Sequence, residues 1–145
     1  MIDNVSWQTI LETATDFSLL CELYAANATP TDDGFHPSDA IARYAAVKGG
    51  LEYLGQPYIG LVKTFGNVNT SMTEVVNNSS VTFSNVSRVI SQFEFSEGFE
   101  GKILVTRLIS RGQSLTLNDS QIIFTGRCDR PTKGDKESLT VYAKS

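Results

Sequence analysis

The order of residue patterns from Gly50 to Ile109 constrains this chain more than any single residue in it. At its end, Gly98-Phe-Glu-Gly101 leads into Lys102 to Ile109, a run almost wholly apolar and β-branched. Such a run needs cover on both faces, so it belongs in the middle of a sheet, and Arg107 inside it needs a partner. Before it, Val81 and Phe83 alternate with Thr82 and Ser84 and stop at Asn85, as a half-buried strand does. Val86, Val89, Ile90 and Phe93 then recur at helical spacing, which predicts a short amphipathic helix from Ser87 to Phe93. Earlier still, LEYLGQPY reads as a β-hairpin turning at Gly55-Gln56-Pro57 and returning through Tyr58 and Ile59.

The flanking segments extend the same pattern. Val5 to Leu11 predicts a short helix with Trp7, Ile10 and Leu11 on one side. Phe17 to Ala25 reads as a strand buried over most of its length, with Glu22 as its lone charge and a helix as the alternative. Asn27 to Asp39 is a surface loop, because Pro30 and Pro37 lack donors and Gly34 supplies a turn. Ile41 to Val47 fits a helical turn or a strand equally. Gly66 to Ser80 reads as a strand polar on its outer face. Ser114 to Leu117 and Gln121 to Arg127 form a pair of strands around an Asn118-Asp119-Ser120 turn, and Leu139 to Ala143 closes the chain. These elements add up to a mostly β fold of about seven strands with one or two short helices, a barrel or sandwich, in a single domain over 1–145.

Composition narrows the function classes. A net charge of −4 argues against direct nucleic-acid binding, which draws its affinity from lysines and arginines on phosphates. The surface is rich in Ser, Thr and Asn, the acidic residues Glu12, Glu22, Asp32, Asp33 and Asp39 lie early, and six basic residues gather between Arg107 and Lys136. That asymmetry suits head-to-tail contact between copies as well as ordinary solvated faces. Cys21 and Cys128 sit far apart in apolar runs and match no zinc spacing, so they read as buried thiols, with a disulfide as the alternative. The N-terminus lacks a secretory pattern and no run is long enough for a membrane helix, which predicts a soluble protein made in the cytoplasm.

Catalytic chemistry finds little support. His36 is the only histidine, so a triad would have to run through it, beside Asp32, Asp33 and Asp39. No nucleophile elbow or phosphate loop occurs, and the two short acidic turns fall short of a calcium ligand set. The expectation is no catalytic residue, no cofactor and no metal. The many aromatics chiefly fill the interior, and some anchor an interface.

The succession Phe17–Ala25, variable loop, LEYLGQPY, FGNVNTSM, VTFSN, short helix and GKILVTRLIS resembles the N-terminal β-domain of tail-tip and baseplate hub (minor tail) proteins of tailed bacteriophages, over roughly Phe17 to Gly126. The resemblance implies a tail-tube-like β-barrel or sandwich acting as a structural part of the virion. It would form a ring of three or six copies at the distal end of the tail tube, in contact with tube or distal tail proteins. Hub proteins are usually longer, and some carry a cysteine-rich cluster-binding domain that this sequence lacks, which implies a single-domain tail-tip or hub-adjacent protein. Interface residues expected on this basis are Trp7, Phe35, Tyr58, Phe99, Arg107 and Arg130. Two other classes compete. A small carbohydrate-binding module would use Tyr53, Tyr58 and Asn67 to Asn69, and a tail-associated hydrolase would use His36 or a buried carboxylate.

Overall fold

The computed structural model describes residues 17–32, 34–66, 78–85, 88–110, 120–131, 133–134 and 137–144. The expected helix at Val5 to Leu11, the strand at Ser114 to Leu117 and most of the polar crossing fall outside these residues. The described elements are β1 (Phe17–Tyr24), a 3-10 turn (Pro37–Asp39), β2 (Ala42–Ala45), β3 (Leu51–Tyr53), β4 (Gln56–Tyr58), β5 (Val62–Gly66), β6 (Asn78–Ser84), α1 (Val89–Ser96), β7 (Ile103–Ser110), β8 (Ser120–Cys128), β9 (Lys133–Gly134) and β10 (Ser138–Lys144). The fold is mostly β, as the alternation predicts.

One antiparallel sheet runs in the order β2-β1-β7-β8-β10-β6-β5, with β9 on β10, and β3 pairs with β4 in a small second sheet. The apolar run after Gly101 is central, as its composition requires: β7 lies between β1 and β8, and Ile103 to Ile109 are all buried. The sheet bends hard at one place. β8 and β10 share only the pairs Ala143 with Cys128 and Lys144 with Arg127, and β9 takes the edge of β10 that β8 leaves free. Gly126 permits this corner, since a Cβ there would stand 2.6 Å from the Lys144 carbonyl.

The two flanks, β2-β1-β7-β8 and β10-β6-β5, face each other like the layers of a sandwich. Cys21, Tyr44, Val62, Phe83, Leu104, Phe124 and Val141 come from seven strands into one core, which Ile90 of α1 and Phe99 join. Phe99 packs against Phe83 and Phe93 with ring centroids 5.8 and 4.8 Å apart. The outer strands do not pair into a closed barrel. A short stretch of chain crosses between them: Ile59 exchanges backbone hydrogen bonds with Arg43 and Ala45 on β2, and the Leu61 carbonyl accepts from the Ser84 N–H. Cys21 and Cys128 are free and buried, and burial pushes both thiols up, Cys128 to about 12.

Several boundaries differ from the sequence reading. Ile41 to Val47, open before, contributes a strand, because Ala42 to Ala45 pair with Leu20 to Leu23. The hairpin turns at Leu54-Gly55, both at positive φ, and Pro57 lies within β4 opposite Glu52. A strand at Val62–Gly66 precedes the expected polar one, and Ser120 belongs to β8 rather than to a turn. The helix ends at Ser96, beyond the predicted Phe93, and one of its early N–H groups is met from outside: Asn85 Oδ1 accepts from the Ser91 N–H at 3.1 Å. Gly98 and Gly101, on either side of Phe99-Glu100, both take positive φ values.

Candidate functional site

Strand alternation places Leu20, Glu22 and Tyr24 of β1 on the side of the sheet opposite Cys21 and Leu23. In the paired register Leu20 faces Arg107 and Glu22 faces Val105, so Arg107 is the diagonal neighbour of Glu22 on that side. Two covers close over them. The hairpin β3-β4 packs Tyr53 and Tyr58 on Leu20, Ala45 and Ile109, and the loop before β2 packs Phe35 on Tyr24, Ile103 and Val105.

Between the two apolar patches lies a buried charge. Arg107 Nε and Nη2 donate to Glu22 Oε2 and Oε1 at 2.7 and 3.0 Å, while the Tyr24 and Tyr58 hydroxyls donate to Oε1 and Oε2 at 2.5 and 2.8 Å. Arg107 Nη2 also reaches the Phe35 carbonyl at 2.7 Å. Glu22 is 0% and Arg107 1% exposed, so the pair gives up water entirely and is held by full hydrogen bonding. The bond from Tyr58 ties down the hairpin and that to Phe35 ties down the loop. The network therefore latches both covers to β1 and β7. Burial opposes the charge on Arg107, but the bonds and the charge of Glu22 outweigh it and its pKa is raised.

The tyrosines carry a pH dependence. Burial, then the charge of Glu22, raises the Tyr24 and Tyr58 hydroxyls well above the ordinary value, and burial with the charge of Cys21 pushes Tyr44 up to about 12. An acid held neutral by the fold lends its stability in full below its unfolded pKa, about 10 for tyrosine, and loses it as pH rises through the folded value. Unfolding melts between pH 8 and 12 are expected to fall steadily above about pH 10, with tyrosinate absorbance from Tyr24 and Tyr58 appearing only as the chain unfolds. Ionisation of all five tyrosines near pH 10 in an intact fold would contradict this.

The expected interface residues divide. Phe35, Tyr58, Phe99 and Arg107 are 8, 2, 0 and 1% exposed and serve the chain's own cores and latch. Arg130 is exposed, and Trp7 lies outside the described residues. Tyr53 and Tyr58 offer no open platform for a sugar, their rings being packed 6.4 Å apart beneath the hairpin. His36 Nε2 stands 2.9 Å from Thr31 Oγ1 on the loop. Among the described residues no three His, Cys, Asp or Glu side chains gather as metal ligands, and no helix is long and apolar enough to cross a membrane.

A few large apolar side chains reach the surface among the described residues. Ile41, Ile59 and Val89, 44, 51 and 37% exposed, border a cleft of about 380 Å³ between β2 and α1. Phe95 on α1 is 95% exposed. A second cleft, of about 570 Å³, has Phe35 and Ile103 in its floor and Arg127 and Lys144 on its rim. Sequence reasoning missed Phe95 as a surface group because it treated the aromatics together. The phase of the helix separates it from its neighbour: Phe93 and Phe95 are roughly 200° apart around the axis, and only Phe93 turns to the core.

No protein-family model and no curated protein matches the sequence. Among solved structures, the fold is similar to that of a chain in the virion of a native gene transfer agent particle. The match covers 96% of this chain with a TM-score of 0.66 and 15% identity, and this chain spans 44% of the length of that one. At that identity the likeness is one of fold.

Proposed function

We propose that this chain is a structural part of a phage-like virion, a hub or hub-adjacent ring protein at the distal end of the tail tube, acting by assembly rather than by catalysis. The observation that carries the reading is the likeness in fold to a virion chain over nearly the whole of this sequence. The surface supports it: Phe95, Ile59 and Ile41 are large apolar side chains left in water by a chain with ample core, a pattern that marks protein contact. The polar, uncharged remainder suits the wet rim of such contacts. Its partners on this reading are copies of itself, three or six to a ring, and neighbouring tube or distal tail proteins. It needs no cofactor, membrane or nucleic acid, and it is made in the host cytoplasm and kept in the virion.

Quantitative peptide mass spectrometry on purified particles from the source culture tests this. The chain is expected at a few copies per particle relative to the tail-tube protein, and the ratio chooses between three and six. Its absence from intact particles would overturn the reading.

A further inference from the structure

Arg127 and Lys144 are direct cross-strand partners at the corner where β8 meets β10. Like charges set opposite each other on a sheet repel. Neither forms an ion pair with a described carboxylate, and Arg127 Nη1 is steadied instead by the Ala26 and Gly101 carbonyls at 2.9 and 3.0 Å. The two cations stand on the rim of the apolar cleft floored by Phe35 and Ile103. Such a rim and floor ask for an apolar group accompanied by carboxylates.

The same chain presents that combination on the segment next to the cleft, whose following residue Gly101 has its carbonyl held by Arg127. Phe95 projects from the last turn of α1, and the exposed Glu97 and Glu100 follow it without an ion pair to any described residue. The third acid of the segment, Glu94, is spent on the Phe99 N–H. We infer that the Glu94 to Glu100 segment of one copy seats in the Arg127/Lys144 cleft of the next, Phe95 entering the cleft and Glu97 and Glu100 meeting the two cations. A segment-to-cleft contact made once per pair of copies is head-to-tail, and head-to-tail contacts close into rings when the rotation allows. The inference rests on the ring reading above and gives it a specific joint.

The test mixes 14N- and 15N-labelled full-length chain at high concentration, follows association by sedimentation, and joins contacting amines and carboxylates with a zero-length carbodiimide. Cross-links from Lys144 to Glu97 or Glu100 that carry one light and one heavy peptide are expected. Phe95→Ser, at a fully exposed position, is expected to weaken association about tenfold or more. Lys144→Glu does likewise, and adding Glu97→Lys to it restores association. Association with cross-links confined to other surfaces, or an unaffected Phe95→Ser, overturns this joint and leaves the ring reading standing. A chain that stays monomeric at millimolar concentration and enters particles only singly overturns both.

Discussion

Arg107→Met is expected to lower the unfolding free energy by about 3–5 kcal/mol, because it strands Glu22 as an uncompensated buried charge. For a domain whose whole stability is of the order of 5–15 kcal/mol, that is a large share. The cause is the lost charge balance rather than lost volume, since methionine fills much of the arginine's apolar stem. Adding Glu22→Gln should therefore recover about half of the loss: the amide carries no charge, its oxygen still accepts from one of the Tyr24 and Tyr58 hydroxyls that donate to Glu22, and its NH2 donates to the other. Urea denaturation of wild type, single and double variants measures this. An Arg107→Met protein within about 0.5 kcal/mol of wild type, the range of an ordinary surface change, would mean the latch contributes nothing.

Gly60→Ala is expected to cost about 3 kcal/mol, at the upper end of the range for overpacking, because the methyl meets backbone that has no rotamer to yield. A Cβ there would stand 2.2 Å from the Val47 carbonyl oxygen and 2.8 Å from the Gly50 nitrogen, and Gly50 in turn lies against the Tyr58 carbonyl. These glycines form the root of the β3-β4 hairpin, beside the bonds that hold Ile59 to β2. Forcing the root apart lifts Tyr53 and Tyr58 from their seat, so hairpin amides should lose hydrogen-exchange protection before the strands of the main sheet do. Gly55→Ala serves as the comparison: its φ of +75° is strained for alanine, but no atom lies within 4 Å, so the expected cost is only about 1–2 kcal/mol. Equal losses for the two variants would show that the close approach at Gly60 is not what the glycine serves.

Much of the fold is legible without coordinates. Period-two alternation with Asn85 as its stop marks β6, and the apolar run after Gly101 can be satisfied only between two other strands, which is where β7 lies. The latch was half legible: Glu22 and Arg107 are each the single charge in an apolar strand, and a lone charge in such a place must be paired. Joining them to each other was not possible from sequence, since 85 residues separate them and nothing local says that β1 lies beside β7. The small strands Ala42–Ala45 and Val62–Gly66 were equally out of reach, because short segments of mixed polarity take their conformation from the neighbour they pair with.

The sequence by itself thus determined a β protein with one central apolar strand, a hairpin and two buried charges in need of partners, because these follow from side-chain period and from the cost of desolvating charge. Tertiary structure alone decided which residues meet. A register shift between Thr106 and Arg107 sets Thr106 opposite Phe124 but Arg107 opposite Ile122, so β8 turns Phe124 to the main core and Ile122 to the patch under the loop. A one-residue bulge changes the face of every residue beyond it, and this one has no local cause. It arises from pairing and packing between segments distant in the chain.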